Sequence, residues 1–156
     1  MLGRVISKLK AIAEIDYHQI LQQIFRATEL QEMIIELNTQ DQLFEKGEDK
    51  LGRRLDALGG GYAPYTIDIK VSKGQPTDRV TLKDTGAFYD SFYVSIPSGA
   101  DYILIIANPI KDGKDINEEW GGYVIGLQPE NMQKIIDYVK EKFIQILRER
   151  VKNPLL

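Results

Sequence analysis

The chain has 156 residues, the usual length of a single domain. Its content of 43% hydrophobic and 28% charged residues is ordinary for a soluble globular protein, and a net charge of −3 gives no indication of nucleic-acid or membrane binding. The absence of cysteine and the presence of a single histidine, His18, exclude disulfides, thiolate metal sites, a cysteine nucleophile and a histidine-rich metal cluster.

The N-terminal region, from Val5 to about Leu37, has a helical pattern. Its first apolar stripe contains Val5, Ile6, Leu9, Ile12 and Ala13. Asp16 is placed to cap a second helix, whose apolar residues recur at steps of three and four from Ile20 onward. Lys8 and Lys10 interrupt the apolar positions, which argues against a secretory signal, and no run reaches the roughly 18 to 20 apolar residues of a membrane span.

A short separate helix is predicted next, in "TQDQLFEKG". Thr39 and Gln42 have the spacing of a capping box, and Gly47 is placed to end the helix. The following stretch is expected to be irregular, apart from a marginal helical turn around Leu55, because Gly59–Gly61 and Pro64 disfavour a long regular element. We interpret the three glycines as a flexible connector, since no helix N-terminus is expected after them to support a phosphate loop.

Short strands are predicted in the middle of the chain. Val80 and Leu82 alternate with polar residues as in a strand. Residues 92–96 and 102–107 are predicted to form a hairpin that turns at "PSGAD". A polar loop follows, with one helical turn at 117–120 and a short strand at 123–125.

The last element is a long amphipathic helix that begins at Pro129. Its apolar stripe contains Met132, Ile135, Ile136, Val139, Phe143, Ile146, Leu147 and Val151. Helices, then strands, then a helix predict an α+β fold with N-terminal helices, a small antiparallel sheet and the C-terminal helix packed on that sheet. We divide this single compact domain into an N-terminal helical segment, 1–38, and a core, 39–156.

Candidate sites for chemistry are few. Asp84 and Asp90 could form a general acid–base pair, but no histidine or cysteine joins them. The acidic residues Asp112, Asp115, Glu118 and Glu119 lack the spacing of a calcium loop, and we expect them to be solvated. Lys70, Lys73, Arg79 and Lys83 form a basic patch that we interpret as a solvated rim. The sequence therefore predicts no catalytic residue, cofactor or metal site.

The stretch "DRVTLKDTGAFYDSF", residues 78–92, changes from a strand-like to a helix-like pattern. Gly86 would permit a tight reversal, and Asp84 or Thr85 would cap the next turn. Phe88 and Phe92, one helical turn apart, would then enter the core between the sheet and the C-terminal helix.

Three motifs in order resemble a known family. They are "GGGYAPYTIDIK", with Tyr62, Pro64, Tyr65, Thr66 and Lys70; "VTLKDTGAFYDSFYV", with Leu82, Thr85, Gly86, Phe88, Ser91 and Phe92; and "EEWGGYVIGL", with Trp120 and Gly121. The series resembles the virion-morphogenesis or tail-completion family, the neck and tail-end proteins of tailed bacteriophages, over roughly residues 40–150. The chain departs from that family at Tyr62, where a tryptophan is frequent, and lacks its "Tyr-Ala-x-x-His-x-Gly" stretch.

The resemblance implies a structural, non-enzymatic virion protein that is made in the host cytoplasm. Identical subunits would form a ring at the neck or the head-proximal end of the tail, joining head to tail and contacting other neck and tail proteins. No specific nucleic-acid binding and no membrane contact are expected, and whether DNA passes through the lumen stays open. Residues 47–78 and 108–122 would be loosely ordered before assembly. Aromatic residues with a polar tip are the interface candidates: Tyr62, Tyr65, Tyr89, Tyr93 and Trp120.

Two other functions stay open. The first is a small metal-dependent hydrolase or nuclease that uses Asp84, Asp90 and the acidic loop. The second is a regulatory binding module whose N-terminal stripe, Val5 to Ala13, docks in the groove of a partner.

Overall fold

The computed structural model describes residues 2–111 and 113–152. Its helices are α1 (Leu2–Ala13), α2 (Tyr17–Phe25), α3 (Thr28–Glu36), a π-helix (Leu37–Lys46), α4 (Leu55–Gly59), α5 (Pro64–Ser72), α6 (Ala87–Asp90), α7 (Ile116–Trp120) and α8 (Pro129–Lys152). Its strands are β1 (Tyr93–Ser95), β2 (Leu104–Ile106), β3 (Ile110–Lys111) and β4 (Lys114–Asp115). The predicted α+β class is confirmed.

The strands form two small antiparallel hairpins. In the first, β1 pairs with β2 so that Tyr93 lies opposite Ile106 and Ser95 opposite Leu104, as the sequence predicted. In the second, β3 pairs with β4, where the sequence predicted a polar loop. Residues 123–125, predicted as a strand, form none, whereas the predicted helical turn at 117–120 is confirmed as α7.

The first part of the core lies between the N-terminal helices and α8. Ile20, Ile24, Leu30 and Ile34 of α2 and α3 are almost completely buried there with Ile135 of α8. The stripe of α8 packs mostly on these helices, and Val94, Ile103 and Ile105 from the region of the first hairpin pack against the same cluster. The predicted cap of α2 is confirmed, because Asp16 Oδ1 accepts a hydrogen bond from Gln19 N at 3.0 Å.

The second part of the core surrounds the bend at residues 80–92. Phe88 and Phe92 are 5% and 6% exposed, with ring centroids 5.1 Å apart, so their predicted burial is confirmed. They do not lie between the sheet and α8, however. Their neighbours come from the π-helix, α4 and α7, and Ile105 links this cluster to the first one.

The π-helix replaces the separate short helix predicted at 39–46. It continues α3 without a break and therefore crosses the boundary we drew at residue 38. Thr39 and Gln42 form no capping box. Thr39 Oγ1 donates to Ile35 O at 2.8 Å, and Gln42 is completely buried. Gly47 does end the helix, in the left-handed conformation with φ 65°.

Buried amides of the π-helix hold the segment before α8. Asn38 Nδ2 donates to Val124 O at 3.2 Å, and Asn38 Oδ1 accepts from Gly126 N at 2.8 Å. Gln42 Nε2 donates to Gly126 O at 2.9 Å, and its Oε1 accepts from Gln128 N at 2.7 Å. Since buried backbone groups need partners, these side chains take the place of a β-ladder for residues 124–128.

Two regions predicted to be loosely ordered contain regular elements. Residues 47–78 hold α4 and α5, and residues 108–122 hold β3, β4 and α7. Our expectation that no helix follows the three glycines was wrong, because Pro64 is the first residue of α5. Proline suits that position since its fixed φ is helical and its missing N–H needs no partner.

Candidate functional site

Four of the five predicted interface aromatics lie around one bend of the chain. Tyr62, Tyr65 and Trp120 line a cavity of about 290 Å³ between α5 and residues 80–84, and Tyr89 packs beside it. Tyr93 lies elsewhere, 53% exposed on the first hairpin. Nothing in the structure tests whether these residues contact another subunit, so that role stays a prediction.

Thr81 is the centre of the hydrogen-bonded network behind the cavity. This fully buried residue donates its backbone N–H to Tyr62 Oη at 2.8 Å, and its carbonyl oxygen accepts from Tyr89 Oη at 2.5 Å. Tyr89 therefore uses its hydroxyl inside the subunit. Burial, with a smaller contribution from Tyr62, raises the pKa of Tyr89 well above that of a free tyrosine, so the phenol stays protonated.

Lys70 forms the floor of the cavity, a position that sequence reasoning missed. We had placed it on a solvated basic rim, but it is only 5% exposed. Its Nζ donates to Lys83 O at 2.8 Å, to Gln75 Oε1 at 2.9 Å and to Thr81 Oγ1 at 3.4 Å. The ammonium group also lies 4.7 Å from the centroid of the Tyr62 ring, a cation–π distance.

The other members of the predicted basic patch also have defined partners. Lys73 Nζ lies 2.6 Å from Asp84 Oδ1, and this hydrogen-bonded pair lowers the pKa of Asp84. Arg79, with 19% of its side chain exposed, donates from Nε to Phe44 O at 2.9 Å. The patch thus connects α5 and the π-helix to the bend.

The bend itself departs from the predicted strand. Leu82 has φ 58°, a left-handed value that is rare for a residue with a side chain and incompatible with a β-strand. Its buried side chain still lines the cavity. Gly86, with φ 100°, makes the predicted reversal. Thr85 Oγ1 accepts from Ala87 N at 3.3 Å, but the N-cap of α6 is Gly86 and no side chain caps the helix, so the predicted cap by Asp84 or Thr85 was wrong. Strained residues of this kind cluster at functional sites.

Trp120 closes the cavity on the side of α7. Its indole nitrogen is buried and has no hydrogen-bond partner among the described residues. It packs so closely on Gly59 that a Cβ there would lie 2.7 Å from Nε1. The first glycine of the predicted connector is therefore a contact point for the tryptophan.

The acidic residues considered for catalysis do not form a site in the described part of the chain. Asp84 is paired with Lys73, and Asp90 is exposed. Asp115 caps α7 by accepting from Asn117 N at 2.8 Å. Asp112 lies outside the described residues. Across 2–111 and 113–152, no three histidine, cysteine, aspartate or glutamate side chains are grouped so that they could hold a metal ion.

Apolar side chains are also exposed on other surfaces, among them those of α1, the first hairpin and α5. The α1 stripe, defined by Val5, Ile6, Leu9 and Ile12, is 37–59% exposed. Tyr93 and Leu104 are 53% and 43% exposed on the outer face of the first hairpin, and Val71 is 65% exposed on α5. Within the described ranges, no helix is both long and apolar enough to cross a membrane.

Comparison with protein-family models, with curated proteins and with solved structures finds no match to this chain.

Proposed function

We propose that the protein is a structural component of a tailed-bacteriophage virion. Its copies assemble head-to-tail into a closed ring at the neck or the head-proximal end of the tail, where the ring joins head and tail. The protein acts by assembly and carries out no reaction.

The observation that carries this proposal is the convergence of the three motif segments on one surface. Tyr62 and Lys70 come from the first motif, Leu82 from the second and Trp120 from the third, and all four line the same cavity. Leu82 and Trp120 are 38 residues apart in the sequence, and the fold brings them to one surface, where the three motifs can act together.

The distribution of exposed apolar side chains supports a ring rather than a symmetric dimer. A head-to-tail contact needs two different surfaces on each subunit. The surface around Tyr65 on α5 and the outer face of the first hairpin, at Tyr93 and Leu104, belong to different elements, and both expose large apolar side chains. A monomer rarely leaves such surfaces uncovered.

The purified full-length chain tests this function. Sedimentation velocity across a concentration series should show one closed oligomer, and negative-stain images should show rings of one diameter. Mass spectrometry of purified phage particles should find the protein in the virion. A chain that is monomeric at every concentration and absent from particles would refute the proposal.

A second function, docking on a partner as a regulatory module, is favoured by one observation. The α1 stripe is exposed at each of its four side chains, up to 59% at Leu9. Such a module forms a one-to-one complex with its partner, whereas the ring forms from this chain alone, so the stoichiometry measured by sedimentation distinguishes the two.

A further inference from the structure

Three neighbouring depressions join into one groove across the bend. The cavity of about 290 Å³ shares Tyr62, Lys111 and Trp120 with a second one of about 350 Å³ that is also lined by Gly59–Gly61. It shares Leu82 and Lys111 with a third of about 140 Å³, beside Gly86. We call this surface the bend groove. It runs from the three glycines to the reversal before α6.

Positive charge lines the bend groove. Its lysines are Lys70, Lys83, Lys111 and Lys114, and its carboxylates are Asp84 and Glu119. The groove thus has an excess of two positive charges, so the rest of a chain with net charge −3 carries −5. Asp84 is hydrogen-bonded to Lys73, which lies outside the lining, and it also interacts electrostatically with Lys111 and Lys70 of the groove.

The charge on the floor of the groove is held in place. The Nζ hydrogen-bond partners of Lys70 are a carbonyl, an amide and a hydroxyl oxygen, and none of them is a carboxylate. Because the side chain is 5% exposed, water screens this charge poorly. Its three N–H donors are all used by these partners, so this fixed charge attracts a carboxylate in the groove through space, without a direct hydrogen bond.

Apolar side chains border the same groove. Tyr65, 76% exposed, and Ile110, 54% exposed, lie at its rim, and the Trp120 ring forms part of its wall. A ligand that satisfies all of these features carries acidic groups together with an apolar side chain. Tyrosine and tryptophan beside fixed charges are typical of the centre of a protein interface.

We propose that the bend groove binds an acidic segment with an apolar anchor from an adjoining copy of this chain. This inference deepens the proposed function and rests on it. A second copy is the occupant that charge complementarity favours, since the chain outside the groove is acidic. Helix α1 of that copy is excluded as the segment, because it contains Arg4, Lys8 and Lys10 and no acidic residue.

Site-specific photo-crosslinking of the full-length chain tests the inference. A benzoyl-phenylalanine in place of Tyr65 should crosslink two copies, and peptide mapping should find the adduct on a segment that contains aspartate or glutamate. The same probe in place of Tyr102, 53% exposed but outside the groove, serves as the matched control and should give at most about a tenth of the adduct.

Charge reversal gives an independent readout. Lys114 is exposed, so Lys114→Glu should fold normally yet weaken assembly by about tenfold, as one unfavourable charge contact at an interface does. The control Lys140→Glu makes the same change on the exposed side of α8 and should assemble as the wild type does.

The outcomes separate the two proposals. A ring that sediments normally but gives no Tyr65 adduct between copies, or an adduct on a segment without acidic residues, overturns the groove inference and leaves the ring. Equal assembly of the Lys114 and Lys140 variants also overturns it. A chain that never sediments as an oligomer overturns the ring proposal itself, and sedimentation gives that result independently of the crosslinking experiment.

Discussion

Replacing Gln42 by leucine should show how strongly the π-helix holds the segment before α8. Gln42 is completely buried, and it bonds Gly126 O, Gln128 N and the Asn131 amide at 2.7–3.2 Å. Leucine fills a similar volume but leaves two buried backbone groups without a partner. At about 1–3 kcal/mol each, the loss is about 2–6 kcal/mol, of which added apolar burial recovers about 1 kcal/mol.

We therefore expect Gln42→Leu to lower the free energy of unfolding by about 1–5 kcal/mol, and to lower the midpoint of urea denaturation by about 0.5–2.5 M at a slope of about 2 kcal/mol/M. Hydrogen exchange at the amide of Gln128 should accelerate as well. The control Gln133→Leu makes the same change at an exposed position of α8 and should cost less than about 0.5 kcal/mol. Equal stability of the two variants, or unchanged exchange at Gln128, would refute the reasoning.

Three further predictions concern the bend and its surroundings. A Cβ at Gly47 would lie 2.9 Å from backbone and side-chain atoms, whereas Gly52 is equally left-handed but in open space. Gly47→Ala should therefore lower the free energy of unfolding by about 1–3 kcal/mol more than Gly52→Ala does. Thermal unfolding measures the difference, and an equal loss in the two variants would contradict the prediction. Because its pair with Lys73 lowers the pKa of Asp84, the carboxylate adds stability above its unfolded pKa of about 3.9 and loses it as pH falls through the folded value. Because the pair is half-exposed, Asp84→Asn should lower the free energy of unfolding by less than about 1 kcal/mol at pH 7 and should not change it near pH 2. A difference between variant and wild type that is constant from pH 2 to pH 7 would show that the ionised Asp84 does not contribute to stability. Lys70→Met should lower the free energy of unfolding, measured in urea, by about 2–4 kcal/mol, and the control Lys73→Met should lower it by less than about 1 kcal/mol. Equal stability of Lys70→Met and the wild type would show that the hydrogen bonds of Lys70 do not stabilise the bend.

The sequence predicts those elements whose signal is local. Asp16 caps α2, Gly47 ends the π-helix and Pro129 begins α8, because each residue acts within a few positions of itself. The hairpin around 92–107 is equally local, since its turn and its alternation lie in one short stretch.

The wrong predictions come from long-range contacts. Gln42 looked like part of a cap, but its partners lie about 85 residues away, where no local pattern identifies them. Val80 and Leu82 have the alternation of a strand and are buried as a strand's inner residues would be, yet no other segment pairs with them in the described structure. Their surroundings, rather than their periodicity, determine the backbone.

The candidate site was predictable only in part. The aromatic residues were identifiable by type, and four of the five lie around one bend. The role of Lys70 was not, because a lysine among other basic residues is ordinarily solvated. One signal was present in the sequence, because Lys70 stands between the apolar residues Ile69 and Val71.

Sedimentation velocity of the purified chain, combined with negative-stain imaging of the same sample, tests the central claim most directly. The account predicts one closed oligomer of fixed mass, seen as rings with a central opening. A single monomeric species over the whole concentration range, with no rings in the images, would contradict it.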